Sequence, residues 1–331
     1  MKAKRIPGLD CSAPADQMIR LVLRTQLRTM CNLRARALDW SDPEGVHEMR
    51  VLSRRMRSAI SDFEIHLRKP GLPVRKLRAI AKSLGVVRDE DVALAALEAL
   101  RADASEDVAV GIDSLLEERR QRQTKARADL MKAINSTALR QFQTEFQAKV
   151  RTLATVAPKT PPGQSVAAPT LTFRKVGARA IAGRLKDFRA AVQSIYFPFE
   201  IDKIHQLRIL AKRLRYAVEL FRFCWGKDLE ETAQEIAGLQ TSLGELHDCD
   251  VWIEYLGKRL KRVSGKEKLD PESLRVRAGY IWLLRHFSKK RTAHYRSALA
   301  RWQQWETNGF LDELKLLIRE SPVPQETERP H

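Results

Sequence analysis

Residues 46–57 read VHEMRVLSRRMR and residues 204–215 read IHQLRILAKRLR, one twelve-residue pattern written twice at an offset of 158. Five of the twelve positions are identical, and most of the others keep size or charge. Apolar residues recur in each copy at spacings of three and four, the period of an amphipathic helix. On a helix, Met49, Leu52 and Met56 form one stripe. His47, Arg50, Arg54 and Arg57 share an arc of about 80° roughly opposite to it. The second copy sets Leu207, Leu210 and Leu214 against His205, Arg208, Lys212 and Arg215. The chain must fold around two helices, each with one apolar and one basic face.

The rest of the chain has the same period. MIRLVLRTQLRTMCNLRARAL (18–38) is amphipathic, and no stretch alternates as a strand does. Prolines at 158, 161, 162 and 169 mark residues 155–170 as a linker near the midpoint. Helices are expected at 14–40, 43–68, 72–101 and 105–152, then at 172–197, 200–224, 227–262 and 271–320. The last helix of each half is expected to kink or break. A second motif recurs across the linker: LGVVRDEDV (84–92) returns as LGELHDCDV (243–251) at an offset of 159. A looser match brings Arg122 and Arg127 opposite Arg291 and Arg296. The expected fold is all-α: two tandem four-helix bundles (9–154 and 171–317) made by internal duplication, with a disordered tail at 318–331.

Charge narrows the function. Sixty Lys and Arg against 41 Asp and Glu give a net charge of +19. Such an excess strains a compact fold and points to a polyanionic partner. Solvated helix faces normally mix signs, because like charges one turn apart cost about 0.2–0.5 kcal/mol per pair. The second stripe has no acid between Ile204 and Ala217, and the first has only Glu48, which points elsewhere. A same-sign stripe that weakens its own helix is best explained by an anionic ligand. Guanidinium forks match phosphate oxygens and stay charged at any working pH. His47 and His205 would add a contact when protonated. Arg28, Lys82, Arg122 and Arg291 are expected as secondary basic contacts.

Asp89, Asp91, Asp248 and Asp250 of the second motif are read as orienting groups for these arginines. His205, His247 and Asp248 would be the ligands of a metal-dependent phosphohydrolase, the third-ranked reading. It is weakened by Arg88, which stands where the second copy has His247. No metal site and no cofactor is expected. P-loop, GxGxxG, GxSxG and HExxH patterns are missing. Aromatic residues are not interleaved with the basic stripes, so a nucleic acid is the second-ranked partner. Cys11, Cys31, Cys224 and Cys249 are widely spaced and read as free thiols of a reducing compartment. With no secretory signal or membrane span, a cytoplasmic location is expected.

The paired VHEMRVLSRRMR and IHQLRILAKRLR segments, each followed some 25 residues on by LGVVRDEDV or LGELHDCDV, resemble the CHAD family, the conserved histidine α-helical domain. The resemblance runs from about residue 9 to 317. It implies two four-helix bundles related by pseudo-two-fold symmetry, with basic faces lining a cavity or channel that binds inorganic polyphosphate. It also implies association with polyphosphate granules. The family histidine corresponds to His47 and His205, and its basic positions to Arg50, Arg54, Arg57, Arg208, Lys212 and Arg215. No ExExK signature of a fused triphosphate tunnel domain is present, so a stand-alone, non-catalytic member is expected. One departure stands out: Arg75, Arg78 and Lys82 align with Gln234, Ala237 and Thr241.

Overall fold

A computed structural model describes residues 6–68, 71–156, 171–264 and 270–319. Among these residues the chain is all-α, as its periodicity predicts, with no strand and two isolated antiparallel bridges. The first half contains α1 (Ala15–Asn32), α2 (Arg34–Ala37), α3 (Pro43–Phe63), α4 (Val74–Ala102), α5 (Glu106–Ala133) and α6 (Ser136–Arg151). The second contains α7 (Phe173–Ala191), α8 (Ile201–Phe221), α9 (Lys227–Ser264), α10 (Pro271–Asn308) and α11 (Phe310–Leu317). The expected breaks have local causes. Asn135 separates α5 from α6, its side chain accepting the Ala138 N–H at 2.8 Å as an N-cap. Gly309, at φ 67°, ends α10 in the left-handed conformation that glycine adopts most cheaply. Ahead of α3, Asp42 caps the helix by accepting the Glu44 N–H, and Pro43 takes the first helical position.

Residues 157–170 of the expected linker and 320–331 of the expected tail lie outside the described residues. The start of the linker is anchored: Val156 N–H donates to His66 O at 2.9 Å, and Arg68 N–H to Ala154 O at 2.9 Å. Ile318, the first residue of the expected tail, is buried.

The apolar stripes do not pack within their own halves alone. Phe63 of α3, Phe173 of α7 and Phe221 of α8 form one aromatic cluster with ring centroids 4.9–6.2 Å apart. They sit in a core that runs through both halves and includes Met49, Met56, Leu207 and Leu214. A second, smaller core also joins the halves, through Leu97 of α4, Ile112 of α5, Leu256 of α9 and Leu283 of α10. Two glycines let α5 and α10 touch there. A Cβ on Gly111 would stand 2.6 Å from Val276 O and 2.9 Å from the Gly279 Cα. Along α4 and α9 the first core ends near Val87 and Leu246, and the second begins near Leu94 and Cys249. The LGxxxDxD motif occupies that changeover: Leu84, Val87, Leu243 and Leu246 belong to the first core, while Asp89 and Asp248 lie at the surface.

The cysteines require a correction. Cys11 and Cys224 are joined as a disulfide across 213 residues, and only Cys31 and Cys249 are free. The fold brings the N-terminal segment onto the end of α8, a proximity that spacing along the chain does not reveal. The cysteines therefore give no ground for a reducing compartment.

Candidate anion-binding groove

Helices α3 and α8 cross, and their basic faces converge. Lys212 shows this most directly: its pKa is lowered to about 8, first because burial strips solvent from the ammonium. Repulsion from Arg208 on its own helix, and from Arg54, Arg50 and Arg57 across the groove, adds to the effect. Arg50 and Arg57 are likewise held below the usual guanidinium value by burial and by neighbouring arginines. The glycine of each second motif lies against one of these guanidiniums. A Cβ at Gly85 would lie 3.6 Å from Arg50 Nε, and one at Gly244 would lie 3.9 Å from Arg208 Nε. A larger side chain at either position would meet the guanidinium.

Few of these cations are neutralised. Arg50 donates from Nη2 to Asp89 Oδ1 at 3.1 Å. Arg54, Arg57, Arg208 and Lys212 have no carboxylate within 4.0 Å among the described residues. The Nε–H groups of Arg54 and Arg208 are buried without a hydrogen-bond acceptor. Asp89 of α4 lies near enough to Asp248 of α9 for its charge to act on that carboxyl. Both carboxyls are raised above the usual range, first by the surrounding protein and against the pull of Arg50 and Arg208. Asp89 is nevertheless 69% exposed, so it faces solvent rather than a core.

The histidines stand at the start of each stripe. His47 is lowered by burial and then by Arg88, and His205 by burial and then by Arg208. His205 Nδ1 lies 3.1 Å from His247 Nδ1, so one ring donates and the other accepts. His247 is held down at about 4, first by burial and then by Arg208. Thus Arg88 and His247 occupy matching places, each beside a motif histidine. Burial and the neighbouring arginines thus favour the uncharged form of these rings, whereas the sequence suggests a contact made by a protonated ring. Among the described residues no three His, Cys, Asp or Glu side chains group to hold a metal ion.

Other expected site residues fall elsewhere. Arg215 is tied down: its Nε pairs with Glu219 at 2.9 Å and its Nη1 donates to Gln240 at 2.6 Å. Glu219 also holds Arg55 of α3 at 3.0 Å, so Arg215 belongs to a half-buried bridge between the halves. Asp250 pairs with Arg291 at 2.5 Å, and Arg291 also donates to Pro198 O at 2.6 Å. Asp91 accepts from Gln123 at 2.7 Å and pairs with Arg127, which lies over the Trp40 ring. These two aspartates therefore orient arginines that brace the loops ahead of α3 and α8, not arginines of the stripes. Arg127, rather than Arg122, is the counterpart of Arg291. Arg122 pairs with Glu118 and leans over Tyr255. Arg28 and Lys82 are exposed, and neither lines the cavity beside the groove.

That cavity, of about 670 Å³, opens beside the crossing and adds cations absent from the expected set: Arg78 of α4, Arg184 of α7 and Arg213 of α8. Arg78 is one of the three cations of α4, with Arg75 and Lys82, whose aligned counterparts are uncharged. Nothing in the sequence placed Arg184, which donates from Nε to the buried Asp62 at 2.8 Å.

The family model of the CHAD domain matches residues 21–257, more than two thirds of the chain. The chain belongs to the CHAD-domain family. Its fold is similar to the crystal structure of the CHAD domain from the plant Ricinus communis, at 18% identity and a TM-score of 0.59, covering 98% of each chain. It is also similar to PptA from Streptomyces chartreusis, at 16% identity and a TM-score of 0.59, covering 88% of this chain and 100% of that one. No curated protein matches it. Within this CHAD domain the two histidines and the unpaired cations sit on one groove, and among the described residues no helix is long and apolar enough to cross a membrane.

Proposed function

We propose that this CHAD domain binds inorganic polyphosphate between the basic faces of α3 and α8, without catalysis of its own. One observation carries the reading. Arg54, Arg57, Arg208 and Lys212 converge with no carboxylate partner among the described residues, and burial first, then repulsion from these arginines, holds the Lys212 ammonium down to about 8. A fold that keeps four cations together unneutralised is relieved when phosphates supply the counter-charge and condensed counterions leave. The stripes extend about 15 Å along each helix, room for a run of phosphates rather than one. Polyphosphate binding is also what the resemblance to the family implies, and a granule association would follow from it.

The test is charge reversal where it cannot cost folding. Arg54→Glu with Arg208→Glu removes like-charge repulsion, so helical circular dichroism is expected to be unchanged. Affinity for long-chain polyphosphate in a calorimetric titration is expected to fall more than about tenfold. Unchanged affinity refutes the site. An RNA that outcompetes polyphosphate at matched phosphate concentration moves the reading to nucleic acid.

A further inference from the structure

The groove is not equally charged on its two sides. On one side, beyond Arg54 and Lys212, the open cavity is lined by Arg57, Arg78 and Arg213, with Glu64 its one carboxylate. Arg57, Arg78 and Arg213 have no ion-pair partner within 4.0 Å among the described residues. Arg57 is held below the usual guanidinium value by burial first and then by repulsion from Arg78. On the other side the counterpart of Arg57 is Arg215, which Glu219 and Gln240 already occupy. The third helix there carries Gln234, Ala237 and Thr241 where α4 has Arg75, Arg78 and Lys82. A phosphate chain leaving the centre past Arg57 keeps meeting free cations. One leaving past Arg215 meets cations that carboxylates already hold: Arg215 and Arg55 on Glu219, and Arg301, packed against Gly238, on Glu235.

We infer that the groove has a single charged exit, over Arg57, Arg78 and Arg213, by which a bound polyphosphate chain longer than the central cluster leaves the protein. The inference rests on the polyphosphate reading and deepens it, since it makes Arg78 a determinant of chain-length preference. Short chains are satisfied by Arg50, Arg54, Arg208 and Lys212. Only longer chains reach Arg78, and they reach it in one direction.

The experiment titrates the full chain with tripolyphosphate and with long-chain polyphosphate, comparing the unaltered protein with Arg78→Ala and Gln234→Ala. Arg78 is exposed on α4, so its loss leaves the cores untouched. At about 0.1 M salt, losing one phosphate contact is expected to weaken long-chain binding about five- to tenfold and to lower the log–log salt slope by about 0.7–0.9. Tripolyphosphate binding is expected to stay within about twofold, and Gln234→Ala to leave both ligands unchanged. Three results overturn the exit: no long-chain loss in Arg78→Ala, an equal loss at both lengths, or a matching loss in Gln234→Ala. Failure of the unaltered protein to bind either ligand overturns the polyphosphate reading itself, and the exit with it.

Discussion

Lys212 turns the crowding of the groove into a pH dependence. In the empty groove its pKa lies at about 8, against 10.5 for a free lysine, because burial and the arginines around it oppose the ammonium. Bound phosphates reverse the sign of its surroundings and restore a value near the free one. At pH 7 the ammonium is charged in both states, so the shift contributes nothing. At pH 9 the empty groove holds it mostly neutral, and binding must take up about 0.9 of a proton. Affinity is therefore expected to fall about tenfold between pH 7 and pH 9, or about 1.4 kcal/mol. Calorimetry at pH 9 in two buffers of different ionisation enthalpy reads the proton uptake directly. Lys212→Arg keeps the charge and removes the titration, so its affinity is expected to stay level across the window. A flat profile in the unaltered protein, or the same slope in Lys212→Arg, refutes the reasoning. The empty protein carries the opposite sign. Its folded-state lysine binds fewer protons than the unfolded chain between about 8 and 10.5, so its stability rises with pH across that interval.

Other expectations follow from the packing. Asp62 is fully buried at its side chain, and its carboxyl is raised to about 6 by burial, against the pull of Arg184. Arg184→Met strands that carboxylate and is expected to cost about 3–5 kcal/mol in urea unfolding. The loss should shrink as pH falls through about 6, below which Asp62 is already neutral in the folded protein, and adding Asp62→Asn should recover much of it. Gly111→Val forces a side chain into the α5–α10 crossing and is expected to lower stability by about 1–3 kcal/mol. The same change at Gly183, where nothing lies within 4 Å, is expected to leave stability unchanged or slightly raised, because glycine is the poorer helix former. Reducing the Cys11–Cys224 disulfide is expected to remove about 2–4 kcal/mol, read as a lowered thermal midpoint in reductant. Cys11→Ser should be insensitive to that reductant.

Much of this protein is written in local periods that any reader of the chain can follow. The spacing of Met49, Leu52 and Met56 determines an amphipathic helix, because side chains three and four apart share a face wherever the helix is placed. The spacing of His47, Arg50, Arg54 and Arg57 determines a basic face by the same geometry. Cap residues such as Asp42 and the break at Gly309 are equally local, depending on a few neighbouring backbone groups. Partnership is not local, and there the tertiary structure decides. Arg57 and Arg215 match in the sequence, yet one lines an open cavity while Glu219 holds the other. Asp91 and Asp250 sit in the same motif as Asp89, yet they brace Arg127 and Arg291 rather than the groove. The Cys11–Cys224 disulfide depends on a proximity across 213 residues that no spacing predicts. The sequence settled which faces are charged and which are apolar, because that follows from the geometry of one helix. Which charges remain free to bind was decided only when helices from both halves met, because neutralisation needs a partner within a few ångströms and only packing brings one there.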